Sequence, residues 1–361
     1  MTPQVQFTVK PELLGTLGTL SGKNPSRVSP FNYGKESADR KGDIAQLAAL
    51  EICDAEGKIL PDKKAAIDTL ATADAFTRIY LTTPQRVIEY IAYFAPDGAT
   101  AGITNDNGMQ LISYPATNDA MIEMVRQTIG FSVYRNGSFD ARLTRAEALV
   151  LTAMIDLQRK EMLRKFADSK TAERLVLTQK EIAGMLSIPP GNFQWLSSAF
   201  VDLFSPGQIP KQEEMKSVLA ALVAKGHAVQ AGKGHSLSDE CLLLARGHLL
   251  PSMYLTLTAG KDTTSGTANG AGFTCIISGI HDLLYIDYQA DDVELQAVAS
   301  RQIHDYLTAF LTNPSILGGL ADLAAEKTPV QPAAQKKFCP QCGSTLKPGL
   351  KFCSSCGAKI T

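Results

Sequence analysis

The spacing of apolar and polar residues along the chain predicts the same order of elements twice. Each time two helices come first, three strands follow, and a further helix closes the set. The first set comprises helices near 43–53 and 63–76, strands at 78–83, 87–94 and 109–114, and a helix at 118–129. The second set comprises helices at 213–225 and 242–249, strands at 253–258, 273–280 and 283–288, and a helix at 292–311. This repetition indicates an internal duplication.

The two sets differ in the position of a long segment that contains glycine. It lies between the later strands of the first set, at 95–108, and between the earlier strands of the second set, at 259–272. Turn-forming residues such as Pro96-Asp97-Gly98 favour a loop in the first set. Because the two loops are dissimilar, we expect an asymmetric surface that suits one client.

The residues between the two sets carry two capping boxes. Thr144 with Glu147 begins a long helix, and Thr178 with Glu181 begins a short one. The short helix, the helix at 213–225 and a predicted hairpin at 226–237 resemble the winged-helix family, in which a recognition helix precedes the wing. The resemblance implies a module for nucleic-acid or protein contact. About 25 inserted residues break the family's spacing, and the basic side chains for reading DNA are missing, which favours a protein contact.

The last residues of the chain carry two CxxC pairs, each followed by glycine. A segment this short needs a covalent or metal staple to fold, and two disulfides or two redox pairs are alternatives to a metal. The segment resembles the zinc-ribbon family, in which two such knuckles sit on two β-hairpins. The resemblance implies one structural Zn²⁺ bound by four thiolates. The four positions that match the family's ligands are Cys339, Cys342, Cys353 and Cys356.

Together these features predict an α+β protein whose body consists of two related helix-strand-helix halves. We place the first half at 1–130, the second with its winged-helix-like insertion at 131–325, a proline-containing linker at 326–335 and the zinc ribbon at 336–361. We expect the strands of the halves to join into one larger sheet, with Tyr80 superposing on Tyr254. The closing helices of the halves should then pack together and bury four apolar residues close to one another: Ile122, Val125, Ile303 and Leu307.

Charge is distributed unevenly along the 361 residues. The ribbon has five lysines and no acidic residue, so the preceding chain has 30 basic and 36 acidic side chains and a net charge of −6. A body of that sign gains little from phosphate backbones, which disfavours nucleic acid as its partner. No apolar run approaches the roughly 18 residues of a membrane span, and the N-terminus lacks a secretory pattern. The scattered Cys53, Cys241 and Cys275 indicate a reducing compartment, so we expect a cytoplasmic protein.

Three features of the body could carry chemistry. The segment from Gly260 to Gly266 contains a lysine, but it lacks the GxxxxGK[ST] spacing of a phosphate loop and is more typical of a hairpin loop. Cys275 and His281 could form a nucleophile pair, although the apolar run around the cysteine favours a core position. The third feature is a group of histidines close together in sequence, His227, His235 and His248, whose spacing matches no familiar set of metal ligands. We therefore predict no catalytic residues.

The sequence favours a non-enzymatic intracellular protein that binds another protein as an adaptor and uses zinc structurally. In outline, the duplicated α+β body resembles the EspG-type secretion chaperones, which hold an unfolded or helical client; no motif carries this resemblance, which implies a protein client. An alternative is a nucleic-acid-binding regulator that uses the winged-helix-like segment and the ribbon. A third is a hydrolase that uses the glycine-containing segment near 260–272.

The ribbon generates a first prediction. Because the double variant Cys353→Ser/Cys356→Ser removes two of four thiolates, zinc should fall from one ion per chain to near none in elemental analysis. The matched variant Ser354→Ala/Ser355→Ala alters the residues between the same cysteines and should keep its zinc. Undiminished zinc in the cysteine variant would contradict the assignment.

Overall fold

A computed structural model describes residues 5–32, 34, 38–106, 108–189, 193–204, 209–263, 266–288 and 292–312. The predicted linker at 326–335 and ribbon at 336–361, with their four cysteines, lie outside the described residues. The strands are β1 (Val5–Val9), β2 (Ala75–Thr82), β3 (Val87–Phe94), β4 (Thr100–Asp106), β5 (Met109–Tyr114), β6 (Asp140–Thr144), β7 (Ala228–Ala231), β8 (Gly234–Leu237), β9 (Met253–Thr263), β10 (Gly266–Ile277), β11 (Leu283–Asp287) and β12 (Asp292–Val298). The helices are α1 (Leu14–Leu20), α2 (Arg40–Ala49), α3 (Pro61–Thr72), α4 (Asn118–Ile129), α5 (Arg145–Ala167), α6 (Gln179–Leu186), α7 (Leu196–Phe204), α8 (Gln212–Ala224), α9 (Asp239–Gly247) and α10 (Ser300–Thr312).

Ten of these strands form a single antiparallel sheet, which makes the body α+β as predicted. Their order across the sheet is β1-β5-β4-β3-β2-β9-β10-β11-β12-β6. The first half contributes a meander of β2 to β5 with β1 on its outer side, and the second contributes β9 to β12 with β6 on its outer side. The two halves therefore share one strand order, with a helix after each meander.

The halves meet where β2 pairs with β9. Ala75 lies opposite Lys261, and the register continues without a shift to Thr82 opposite Tyr254. Tyr80 lies opposite Thr256 and therefore points to the same face of the sheet as Tyr254. The superposition of Tyr80 on Tyr254 itself stays a prediction.

Helices cover both faces of the sheet. On one face α4 and α10 pack against each other and against the central strands of both halves. Val125, Ile303 and Leu307 are fully buried there, and Ile122 packs against the same cluster, as predicted for the closing helices. On the other face α1 to α3 cover the strands of the first half, and α5 to α9 cover those of the second.

Two predicted loops are strands in the structure. The segment at 95–108 contains β4, where Ala101 and Ile103 are buried against the helices of the first half. The segment at 259–272 continues β9 and β10 into a long hairpin with a register shift between Asn269 and Ala271. Both segments are rich in glycine, alanine and threonine and lack strong apolar alternation. Strands on both sides of β4 supply its backbone hydrogen bonds, and residues 266–272 pair with β9, so pairing outweighs their weak intrinsic preference.

The start of the last predicted helix is also wrong. Residues 292–298 form β12, and α10 begins only at Ser300. Val293, Leu295 and Ala297 are buried against the layer of α5 to α9. They recur at every second position, which is the period of a strand. The correspondence between halves shifts accordingly, since β11 occupies the position of β4, and β12 that of β5. The strands β1 and β6 were not predicted.

The joint between the halves generates a second prediction. Leu255 is fully buried between β2, β10 and the layer of α4 and α10, so Leu255→Ala should lower the free energy of unfolding by about 2–5 kcal/mol. Circular dichroism and the fluorescence of the single tryptophan, Trp195 in the second half, should report one shared denaturant transition.

The matched control is Leu243→Ala. Leu243 is 56% exposed, so this change should stay within about 0.5 kcal/mol of the wild type. Two separate transitions in the wild-type chain would show that the halves fold independently, contrary to the shared core.

Candidate functional site

The three cysteines of the body are buried and free. Burial raises the pKa of Cys241 to about 11 and raises the pKa of Cys275 further still, so both remain protonated thiols at neutral pH. His281 lies in the turn after β10, and its backbone carbonyl accepts a hydrogen bond from Asn136. Among the described residues, no interaction joins Cys275 to His281. The structure therefore does not support a nucleophile pair.

The histidines at 227, 235 and 248 do not converge. His248 is buried, with Nδ1 3.0 Å from the Ser278 hydroxyl, and burial lowers its pKa to about 3, so the ring is neutral. His227 packs against the Phe139 ring, and the backbone of His235 pairs with Leu177. No group of three or more potential metal ligands occurs in the part of the chain that the structure describes.

The glycine-containing segment is part of the β9–β10 hairpin. Gly260 lies opposite Asn269 in the antiparallel ladder. A phosphate loop instead joins a strand to a helix whose N-terminus faces the phosphates. The described residues of this segment therefore do not provide the setting that the hydrolase alternative needs.

The winged-helix-like elements are all present, but their surface is not basic. The short helix α6, the helix α8 and the β7–β8 hairpin occur in the expected order, and Leu177 bridges to His235 beside the hairpin. The additional helix α7 lies between α6 and α8. The exposed positions of α8 include Glu213, Glu214 and Lys216, and exposed Lys211 and Lys225 flank the helix at its two ends. Acidic and basic side chains are mixed on this face, which disfavours phosphate contacts.

Among the described residues, a strip of the central sheet is only partly covered by the two helical layers. It lies on the face opposite α4 and α10, over the joint between the halves. One row of polar residues crosses it, each lying opposite the next in the ladder. In order across the sheet the row is Gln110, Asn105, Glu89, Tyr80, Thr256 and Thr274, of which the first five are partly exposed and Thr274 is buried. We call this row, with Arg78, Thr82 and Thr258 beside it, the central strip.

Electrostatic contacts organise the first-half side of the central strip. Glu89 accepts a hydrogen bond from the Asn105 amide, and its carboxylate lies 3.3 Å from Arg78 Nε. The Arg78 guanidinium also lies 5.8 Å from the Phe76 ring centre and 6.0 Å from that of Tyr80. Burial, and then the hydrogen bond with Glu89, raise the pKa of Tyr80, so its phenol is protonated at neutral pH. The strip therefore holds a paired cation and anion beside aromatic rings, with 31% of the Arg78 side chain exposed.

Helix α7 forms an apolar wall along the second-half side of the strip. A groove of about 250 Å³ lies between this wall and the sheet. Phe193 stands at the end of the wall, because its carbonyl accepts a hydrogen bond from Tyr254 and the two rings meet edge to face at 4.8 Å. The residues that line the groove are Thr82, Phe193, Ala199, Asp202, Leu203, Tyr254, Thr256 and Thr274.

A buried ion pair on α5 fixes the position of α7. The Asp156 carboxylate accepts hydrogen bonds from the backbone of Leu196, at 3.1 Å, and from both the backbone and hydroxyl of Ser197, at 2.7 Å. These bonds satisfy donors at the first turn of α7. Arg159 pairs with Asp156, and neither side chain is exposed to solvent.

Arg159 extends this support to the loops around α7. Its Nη2 donates to the carbonyls of Gln194, at 2.7 Å, and Leu249, at 3.0 Å. The guanidinium also lies 5.6 Å from the Trp195 ring centre. The wall of the groove is therefore held from inside the protein by one charged network.

Sequence reasoning did not identify the central strip. Its signal lay in the alternation of β2, where polar Arg78 and Tyr80 alternate with buried Ile79 and Leu81. That alternation predicts a strand with one polar face but does not show which face the helices leave open. The residues that support α7 were missed because they are close to it only in space.

Comparison with known proteins gives a domain for the end of the chain and a distant structural likeness for the body. Residues 338–360 match the zinc-ribbon domain family, and the four predicted cysteine ligands fall inside that range. Four cysteines in two pairs are a donor set that suits Zn²⁺, and their role as ligands stays a prediction. No curated protein matches the chain.

One solved structure with such a likeness is that of the Mycobacterium tuberculosis type VII secretion system chaperone EspG5 in complex with the PE25–PPE41 dimer. The two chains are 8% identical, with a TM-score of 0.46 over 86% of this chain and 96% of that chain. Among the described residues, no helix is both long and apolar enough to cross a membrane.

The network beneath α7 generates a third prediction. Because Asp156→Ala leaves the Arg159 charge and the donors of α7 buried without a partner, unfolding free energy should fall by about 3–5 kcal/mol. The Trp195 emission of the folded protein should also change, since Arg159 stacks on that ring. Asp168→Ala, which removes an exposed carboxylate at the end of the same helix, is the control and should change neither quantity appreciably. Equal stability of the two variants would contradict the role given to Asp156.

Proposed function

We propose that this chain is a non-enzymatic adaptor that binds a partner protein on the central strip and carries a structural zinc site in its ribbon. One observation carries the proposal. Over the joint, the sheet presents partly exposed Arg78 and Tyr80 beside an apolar wall. Arginine and tyrosine are enriched among the residues that contribute most to protein–protein binding.

The chemistry of the strip suits a protein surface. An apolar contact along Leu203 and Phe193 would remove nonpolar area from water. On the opposite side, the partly exposed side chains of Arg78 and Tyr80 offer polar groups. A partner with an apolar ridge and flanking hydrogen-bonding groups would satisfy both sides. Open, partly polar grooves of this kind give specificity through many modest contacts.

Reaction chemistry has less support in this groove. The Glu89 carboxylate on the neighbouring part of the sheet is already held by Arg78 and Asn105. None of the chain's histidines or free body cysteines lines the groove. This arrangement is typical of a surface that binds and does not transform its ligand.

The ribbon would contribute stability to its own segment. Zinc, when bound, supplies folding free energy to a short sequence that cannot bury a large core. Cys339, Cys342, Cys353 and Cys356 would hold it as thiolates. The five lysines of this segment favour nucleic acid as an alternative partner.

The test is affinity capture from the cells that make the protein, with full-length chain as bait. A partner bound at the strip should be recovered by the wild type and lost by Arg78→Ala/Tyr80→Ala and by Leu203→Asp, at least about tenfold if each change removes 1.4 kcal/mol or more. Gln127→Ala, an exposed change on α4 on the opposite face, should leave capture intact. All variants are first checked for a cooperative thermal transition.

Two results would contradict the proposal. Recovery of the same proteins in equal amounts by folded strip variants would place binding elsewhere. Recovery of nucleic acid, lost at raised salt and on replacement of the ribbon lysines, would favour the alternative function.

A further inference from the structure

The two edges of the ten-stranded sheet are protected to different degrees. At one edge, β6 has the charged residues Asp140 and Arg142 on its exposed side. The Lys225 ammonium donates to the Arg142 carbonyl at 3.0 Å, and the Arg142 side chain pairs with Asp292 at 2.9 Å. Charged side chains on an edge strand are a common means of preventing its pairing with another chain.

The other edge lacks these devices. The strand β1 reads Val-Gln-Phe-Thr-Val and contains no charge, proline or glycine. It pairs with β5 in an unbroken register from Val5 opposite Tyr114 to Val9 opposite Gln110. Among the described residues, no other backbone pairs with its outer side. A regular, uncharged edge of this kind is a template for a further strand.

The sequence of β1 is complementary to itself when reversed. An antiparallel pair centred on Phe7 places Phe7 opposite its own copy, Val5 opposite Val9, and Gln6 opposite Thr8. Directly opposed residues in an antiparallel pair share a face. The apolar residues would therefore extend the buried face, where Phe7 and Val9 already lie beneath the helices of the first half. The exposed Gln6 and Thr8 would meet on the other face.

The body already uses such a joint, because β2 and β9 pair edge to edge to unite its halves. We propose that a second copy of this chain pairs its β1 antiparallel with β1, centred on Phe7, to form a two-fold dimer with a continuous sheet. An interface that repeats one patch on both subunits closes after two copies. The absence of charge in β1 removes the repulsion that would oppose self-pairing. This inference does not depend on the function of the central strip.

Charge substitutions at Gln6 and Thr8 test the dimer and its register together. The full-length wild type should sediment with twice the mass of one chain at micromolar concentrations. Gln6→Lys/Thr8→Lys places like charges opposite each other twice, so the dissociation constant should rise at least about tenfold. Gln6→Lys/Thr8→Glu places each lysine opposite a glutamate of the partner copy, so the dimer should persist and weaken as salt is raised.

The control Gln127→Lys/Thr128→Lys adds the same charge on the exposed side of α4 and should leave the dimer intact. Circular dichroism confirms that each variant is folded. A wild type that remains monomeric at tens of micromolar would overturn the proposal, as would a dimer that survives Gln6→Lys/Thr8→Lys unchanged. A folded but monomeric Gln6→Lys/Thr8→Glu would overturn the Phe7-centred register.

Discussion

The pairing of β2 with β9 is the interaction on which the rest of the body depends. It joins two five-stranded arrays into one sheet through an uninterrupted antiparallel ladder. The apolar side of that ladder, with Ile79 and Leu255 at its centre, is buried beneath α4 and α10 together. Each closing helix therefore completes its core partly on strands of the other half. The two halves become one structure because neither can bury this face alone.

The same joint produces the central strip. On the face opposite α4 and α10, the helices α1 to α3 cover strands of the first half and α5 to α9 cover strands of the second. These two layers are separated where the halves meet. Strands of an antiparallel sheet tolerate water on one face when polar residues alternate with apolar ones. Arg78 and Tyr80 on β2 meet this condition, while Ile79 and Leu81 between them point into the core. The proposed binding surface is thus a consequence of joining two covered halves.

Five helices, α5 to α9, cover the second half, and a buried ion pair within them positions α7. Placing Asp156 and Arg159 away from water is costly unless their hydrogen bonds are satisfied. Here they bind the first turn of α7 and the carbonyls that flank it. A purely apolar contact would allow α7 to slide, whereas directed hydrogen bonds fix the position of its first turn. The wall of the groove, which α7 forms, is therefore held in a fixed position.

The sequence by itself determined the local features of this protein. The capping boxes at Thr144 and Thr178 start helices as predicted, because cap bonds join residues only three positions apart. The strong alternation of β2 and the spacing of the two CxxC pairs are equally local, and the latter led to the zinc-ribbon domain that the family comparison finds.

Tertiary structure alone decided the features that depend on distant partners. The strand β4 and residues 266–272 of β10 have weak strand-forming sequences. The strand β4 forms because neighbours on both sides pair with its backbone, and residues 266–272 form a strand by pairing with β9. Residues 292–298 fit a helical spacing as well as an alternating one, and pairing with β11 and β6 selects the strand. The central strip could not be predicted either. Which face of a strand remains open is set by where helices pack, and no local pattern of side chains encodes that choice.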